Sequence, residues 1–292
     1  QTLTMRNRLL YFALIFVVFT FTSCIKDVNE NVEYDINKSY SLTNISYGSH
    51  GKQKMDIYLP EGRSAETTKV FVLIHGGGWH AGSKNDMTAS FDNLKEIYPD
   101  YAIINMNYRL GTVSSPGYDK QIKDIKKALE HFQDPKYNVS DEYFLIGASA
   151  GAHLALLYGY GFDTHNNVKG ICNIVGPSDI TDPAFLDGNE PYLEYAFATL
   201  VGPYTYQQKP ELYEEASPVT YISSTSPPTI SFYGDADPLI PNSQMTLLHD
   251  KLNLYGVDNQ ATMYAGEGHG NWSYANNLDF ILKLYDFINS RF

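Results

Sequence analysis

Tyr143-Phe144-Leu145-Ile146-Gly147-Ala148-Ser149-Ala150-Gly151-Ala152-His153-Leu154-Ala155-Leu156-Leu157 passes from an apolar strand pattern, through a serine flanked by glycines, into an apolar helix pattern. G-x-S-x-G alone arises by chance in roughly one chain of this length in ten, given ordinary Gly and Ser frequencies. Between a strand and a helix it is far rarer, and there it has a steric meaning. So sharp a turn strains the serine backbone and projects its hydroxyl clear of the sheet. Gly147 and Gly151 let strand and helix approach one another, and Ala148 and Ala150 are small for the same reason. The helix N-terminus adds backbone N–H groups and a positive dipole end beside the hydroxyl. Ser149 is therefore read as a nucleophile.

A nucleophilic serine needs a base, an acid that orients the base, and an oxyanion hole. His75-Gly76-Gly77-Gly78-Trp79 directly follows the strand pattern 70–74. Its glycines can turn backbone N–H groups toward a developing oxyanion, so Gly77 and Gly78 are expected donors together with Ala150. No Gly-Lys-Ser/Thr follows, which disfavours a phosphate cradle. Gly234-Asp235-Ala236-Asp237-Pro238 follows the strand pattern 229–233 and supplies two aspartates. Asp237 is favoured as the acid, because Asp235 abuts the turn glycine and suits a loop cap. The base is expected last in chain order, and His269 in Gly266-Glu267-Gly268-His269-Gly270 fits. Among the other histidines, His249 is placed on the polar face of its helix and His153 in the packing of the elbow helix. His75 is read as supporting the oxyanion loop and His80 as lining its exit. No spacing predicts a metal site.

Strand patterns also fall at 42–47, 55–59, 70–74, 102–106, 171–175, 229–233 and 261–264, with helical spacing at 118–132, 243–255 and about 277–290. Gly256 is placed as a C-cap. Two early strands followed by βα alternation predict a mostly parallel α/β sheet of eight strands, flanked by helices, with an antiparallel start. The stretch 176–228, rich in Pro and Tyr, is too long for a bare loop and is read as a lid or binding insert between strands 6 and 7.

Together these motifs resemble the α/β-hydrolase superfamily of the esterase and lipase type, nearest to hormone-sensitive-lipase-like enzymes and bacterial carbohydrate esterases. Met55-Asp56-Ile57-Tyr58-Leu59-Pro60, Asn107-Tyr108-Arg109-Leu110, Ala216-Ser217-Pro218 and Pro238-Leu239-Ile240-Pro241 extend the likeness from about residue 42 to the C-terminus. The resemblance implies an acyl-enzyme esterase without a metal or other cofactor. Ser149 would be nucleophile, Asp237 acid and His269 base, with Gly77, Gly78 and Ala150 as the oxyanion hole and Asp124 at a structural position. Its substrates would be acetyl or hydroxycinnamoyl esters of plant polysaccharides, or related small esters. Trp79, Tyr192 and Tyr195 are expected to contact substrate. A peptidase or aryl-formamide hydrolase of the same fold is the alternative. A hydrolase fold kept only for glycan binding would require a disrupted triad.

The 292 residues carry a formal charge of −12, which excludes phosphate-neutralising nucleic-acid binding and disfavours acidic glycans. Arg6 and Arg8 precede an apolar stretch from Leu9 to Phe21 and then Thr22-Ser23-Cys24. Residues 1–23 are therefore expected to be a signal peptide for export. Phe21-Thr22-Ser23-Cys24 resembles a bacterial lipobox, so Cys24 is expected to carry a lipid that anchors the protein at the outer membrane. An ordinary secretory signal is the alternative. Residues 24–41 are expected to be a polar tether and residues 42–292 the folded domain. Cys172, in an apolar run, is read as a buried thiol. The sequence does not set the oligomeric state.

Overall fold

Three strands fix the frame: β3 (Val70–Ile74), β4 (Ala102–Met106) and β5 (Tyr143–Ala148). β3 and β4 are buried at every position, as central parallel strands covered on both faces must be. The structure is a computed structural model that describes residues 33–186 and 191–292. The expected signal peptide and Cys24 lie outside the described residues.

The remaining strands are β1 (Tyr40–Ser46), β2 (Lys54–Leu59), β6 (Val168–Ile174), β7 (Thr229–Gly234) and β8 (Asn259–Tyr264). They form one sheet in the order β1-β2-β4-β3-β5-β6-β7-β8. β2 runs antiparallel to both its neighbours, and every pairing from β4 to β8 is parallel. The expected eight-stranded α/β fold with an antiparallel start is the one observed.

Two hydrophobic layers cover the sheet. On one face Leu94 of α1 (Thr88–Ile97) and Leu284, Phe287 and Ile288 of α8 (Tyr274–Arg291) pack on Phe71, Phe144 and Phe232. On the other face lie α2 (Tyr118–Phe132), α3 (Ala150–Leu157) and α7 (Ser243–Leu254). Their core includes Ile125, Leu154 and Leu248 against Val72, Leu145 and Ile171. Between β6 and β7 the chain makes its long excursion through α4 (Pro183–Leu186), α5 (Pro191–Val201) and α6 (Pro210–Glu215).

Two expectations need correction. Residues 34–41 do not belong to a tether, because the compact body begins at Tyr34. Arg63 is only 2% exposed and explains why. Its guanidinium donates to the carbonyls of Tyr34 (2.6 Å), Asp35, Lys38, Pro60 and Tyr137. A buried charge needs such partners, and here three of the five are backbone oxygens of residues 34–38. His249 is the second case. It is buried rather than on a polar face, with Nδ1 2.7 Å from Asn259 Oδ1 at the start of β8. Cys172 is fully buried, and burial pushes its thiol pKa up, which makes it inert.

Candidate active site

Ser149 sits between β5 and α3 with φ +52° and ψ −122°. Such a conformation costs about 1–3 kcal/mol and persists only where its surroundings over-determine it. Here they do. The Ser149 N–H donates to the Ile174 carbonyl at 2.8 Å, and its own carbonyl accepts from His153 N–H at 3.0 Å. A Cβ on Gly151 would overlap the carbonyls of Ile74 and His75, and one on Gly147 would overlap the backbone of Gly151 and Ala152. Only glycine at both places lets the elbow close on the sheet.

The structure brings Ser149, His269 and Asp237 together from three separate loops. His269 Nε2 lies 2.9 Å from Ser149 Oγ, and His269 Nδ1 lies 2.7 Å from Asp237 Oδ2. With Nδ1–H donated to the carboxylate, Nε2 presents a lone pair to the hydroxyl. The Asp237 side chain is 1% exposed. Its other oxygen, Oδ1, accepts the N–H groups of Leu239 (2.8 Å) and Ile240 (3.1 Å), which fixes its orientation. Asp235 faces elsewhere. Its Oδ1 accepts Gly266 N–H at 2.6 Å, so it ties the two downstream loops together.

The glycine loop after β3 reverses on residues with positive φ: Gly77 (+112°), Gly78 (+55°) and Trp79 (+64°). Among the described residues no protein acceptor takes the N–H of Gly77, Gly78 or Ala150. Gly78 and Ala150 share a pocket wall with Ser149, and Gly77 packs beside them against the Ala81 backbone. Two histidines brace the loop from below. His75 stacks on Tyr108 at 4.2 Å, its Nδ1–H donates to the Gly76 carbonyl, and Tyr108 donates to the His75 carbonyl at 2.8 Å. His153 Nδ1 accepts the Trp79 indole N–H at 3.1 Å, and its Nε2–H donates to the Ala216 carbonyl at 2.7 Å. Both ring nitrogens are satisfied only by the neutral ring. Burial accordingly lowers the His153 pKa to about 4, and lowers that of His75 as well.

Trp79, a predicted substrate contact, is thus 3% exposed and tied to His153, with part of its surface lining the pocket beside Ser149. Tyr192 lines the same pocket, with its hydroxyl over Gly78. Tyr195 stands outside it, half exposed and edge-on to His80. Phe185, Phe197, Leu239 and Ile240 complete the walls. Phe185 and Phe197 lie in no motif, so only the fold could reveal them, whereas Leu239 and Ile240 fall in the Pro238–Pro241 segment. The cavity itself is about 20 Å³, room for about one water.

Asp124 holds Arg109 at 2.7 Å and also accepts from Gln53, which braces the loop after β4. Asp182 and Gln244, missed in the sequence, form a buried polar knot. Gln244 Oε1 accepts the N–H groups of Ser178 and Asp179, and its Nε2 donates to Asp182 Oδ2. No spacing motif marks such a pair 62 residues apart. Among the described residues, no group of three or more His, Cys, Asp or Glu could hold a metal ion.

The comparisons with known proteins agree with this geometry. A model of the BD-FAE family matches residues 55–252. Esterase LipQ of Mycobacterium tuberculosis is 25% identical over 218 residues, which cover 69% of this chain and 50% of that protein. A kynurenine formamidase of Salmo salar is 25% identical over 130 residues, 44% of this chain and 42% of its own. The chain spans about half the length of the first curated relatives it matches. A solved structure, a truncated form of carbohydrate esterase from gut microbiota, is similar with a TM-score of 0.68 at 23% identity, covering 86% of this chain and 98% of that one. The match over most of the chain and the shared sheet lead to one conclusion: this protein belongs to the BD-FAE family and has the α/β-hydrolase fold.

Proposed function

We propose that this protein is a serine carboxylic-ester hydrolase that works through an acyl-enzyme. The observation that carries the reading is the continuous line from Ser149 Oγ through His269 to the buried Asp237. His269 takes the Ser149 proton as Oγ attacks the ester carbonyl carbon. The new oxyanion turns toward the free N–H groups of Gly78 and Ala150, with Gly77 beside them; one such donor is worth about 10²–10³ in rate. Asp237 stabilises the imidazolium and keeps its tautomer. His269 then protonates the leaving alcohol, and water repeats the sequence on the acyl-enzyme.

The small cavity beside Ser149 favours a short acyl group, acetyl before hydroxycinnamoyl. The carbohydrate esterase among the structural neighbours supports a sugar as the alcohol. Kynurenine formamidase relatives make an aryl formamide the second reading, since a formyl group is smaller still than an acetyl group. Reaction with a fluorophosphonate probe and turnover of p-nitrophenyl acetate test the chemistry. Ser149→Ala is expected to abolish labelling and to lower turnover by at least about 10⁴-fold. Turnover that survives this change would remove the proposal. The relative kcat/KM for an acetyl ester and an aryl formamide decides between the two substrates.

A further inference from the structure

We propose that the insert carries a second binding cleft, for a neutral saccharide, formed by Glu194, Tyr204, Thr205, Tyr206, Gln207 and Tyr213. The cleft measures about 370 Å³, against about 20 Å³ beside Ser149. That is within the usual range of small-molecule sites, and its walls have the mixture such sites use: aromatic faces with a few polar groups.

The wall is built before any ligand arrives. Tyr213 hydroxyl donates to the Tyr204 carbonyl at 2.9 Å, and the Thr205 N–H donates to Gln208 Oε1 at 3.0 Å. These bonds set the turn that presents Tyr204 and Tyr206. Tyr206 packs edge-on to Tyr213 at 5.8 Å, and Tyr204 is 45% exposed. Among the described residues, the hydroxyls of Tyr204 and Tyr206, the Glu194 carboxylate and the Gln207 amide have no hydrogen-bond partner. The cleft therefore offers ring faces together with unengaged donors and acceptors.

Its chemistry selects among ligands. An acyl chain laid over these solvent-exposed polar groups would displace their water and offer no partner in return. An anion would meet Glu194 on a chain of net charge −12. A neutral sugar satisfies both kinds of surface: its C–H faces lie on tyrosine rings while its hydroxyls reach the carboxylate and amide. Phe185 and Phe197 line both this cleft and the pocket at Ser149. The cleft and the pocket are therefore neighbours that share those two rings as a wall, and we place the acylated end of a glycan bound in the cleft beside the reacting hydroxyl. That last step rests on the esterase reading; the binding of sugar does not.

The test is calorimetric titration of xylotetraose, cellotetraose and mannotetraose, all unacylated, into the full chain. At least one is expected to bind, and Tyr204→Ala with Tyr206→Ala should weaken it by about tenfold, or about 1.4 kcal/mol. Glu194→Gln with Gln207→Ala, on exposed side chains, gives a second variant that threatens folding less and should also weaken binding. Thermal melting checks that both variants fold. No binding by any of the three sugars, or equal binding by folded variants, overturns the proposal. A protein that binds sugar yet hydrolyses no ester keeps this cleft and loses the esterase reading. The opposite result does the reverse.

Discussion

The loops at the ends of the strands and the insert between β6 and β7 are held by different means. Around Ser149 the backbone does the holding. Ser149 N–H bonds to Ile174, Val175 N–H to Phe232 and Asp235 N–H to Tyr264, each at 2.8–3.1 Å, so the parallel ladder continues past the strand ends. Residues 176–182, where the insert begins, are instead fastened mainly by side chains. Asn173 Oδ1 accepts the Gly176 N–H and Tyr233 donates to the Gly176 carbonyl, while Gln244, Asp182 and Ser217 grip residues 178–182. Backbone ladders fix positions closely whatever the side chains are. Side-chain knots hold only while particular residues are kept. In such a molecule the reacting atoms can stay in register while the binding surface beside them changes.

After Ser149→Ala, the hardest blow to the first region is Asp237→Asn. An amide in place of the carboxylate favours the wrong His269 tautomer, and kcat should fall by about 10⁴. Asp235→Asn should cost far less, because Asp235 serves the Gly266 backbone rather than His269. Equal losses in steady-state kinetics of the two variants would show that the acid has been misassigned.

His153 lies where the two regions meet, bonded to the glycine-loop Trp79 on one side and the insert carbonyl of Ala216 on the other. Its pKa is about 4 in the fold and about 6.5 in the unfolded chain. Between those values the unfolded chain binds the extra proton, so stability is complete above about pH 6.5 and falls as pH drops toward 4. The loss amounts to something on the order of 3 kcal/mol. Urea unfolding at pH 7 and pH 5 should show this slope flattened in His153→Gln; an unchanged slope would rule His153 out as its source.

The effect confined to the insert is expected from Gln244→Ala, which leaves the N–H groups of Ser178 and Asp179 without their acceptor. Each buried orphan costs about 1–3 kcal/mol. Denaturant midpoints should drop, and proteolytic nicking between residues 176 and 228 should appear before cutting elsewhere. If nicking falls instead in the strand-end loops, the contrast between backbone and side-chain fastening fails.

The same contrast explains which features are legible in the sequence. β3, β4 and α2 have their predicted limits because continuous apolar runs and a 3.6-residue period are local signals. Ser149, Asp237 and His269 are legible for a related reason: strained or tight loops at strand ends demand glycine, and glycine is visible. Asp235 can be set aside because it touches the turn glycine. The pocket walls at Phe185 and Phe197, and the knot at Gln244, carry no such mark. They depend on which surfaces the insert happens to bring together. Nothing near Arg63 in the chain announces the five carbonyls that close around it, since only the fold gathers them. His249 reads as solvated because its partner, Asn259, comes from the next strand.

The Arg63 cluster also fixes where the chain enters this domain. Tyr34 is held beside Tyr137 and Pro60, which lie where the central parallel strands begin. Ser149 lies where β5 ends. The chain therefore enters the domain roughly one strand length, about 17–20 Å, from the mouth. Three of the five carbonyls that close on the Arg63 guanidinium belong to Tyr34, Asp35 and Lys38, and the other two to Pro60 and Tyr137, so one side chain rivets the first described residues to that end of the sheet.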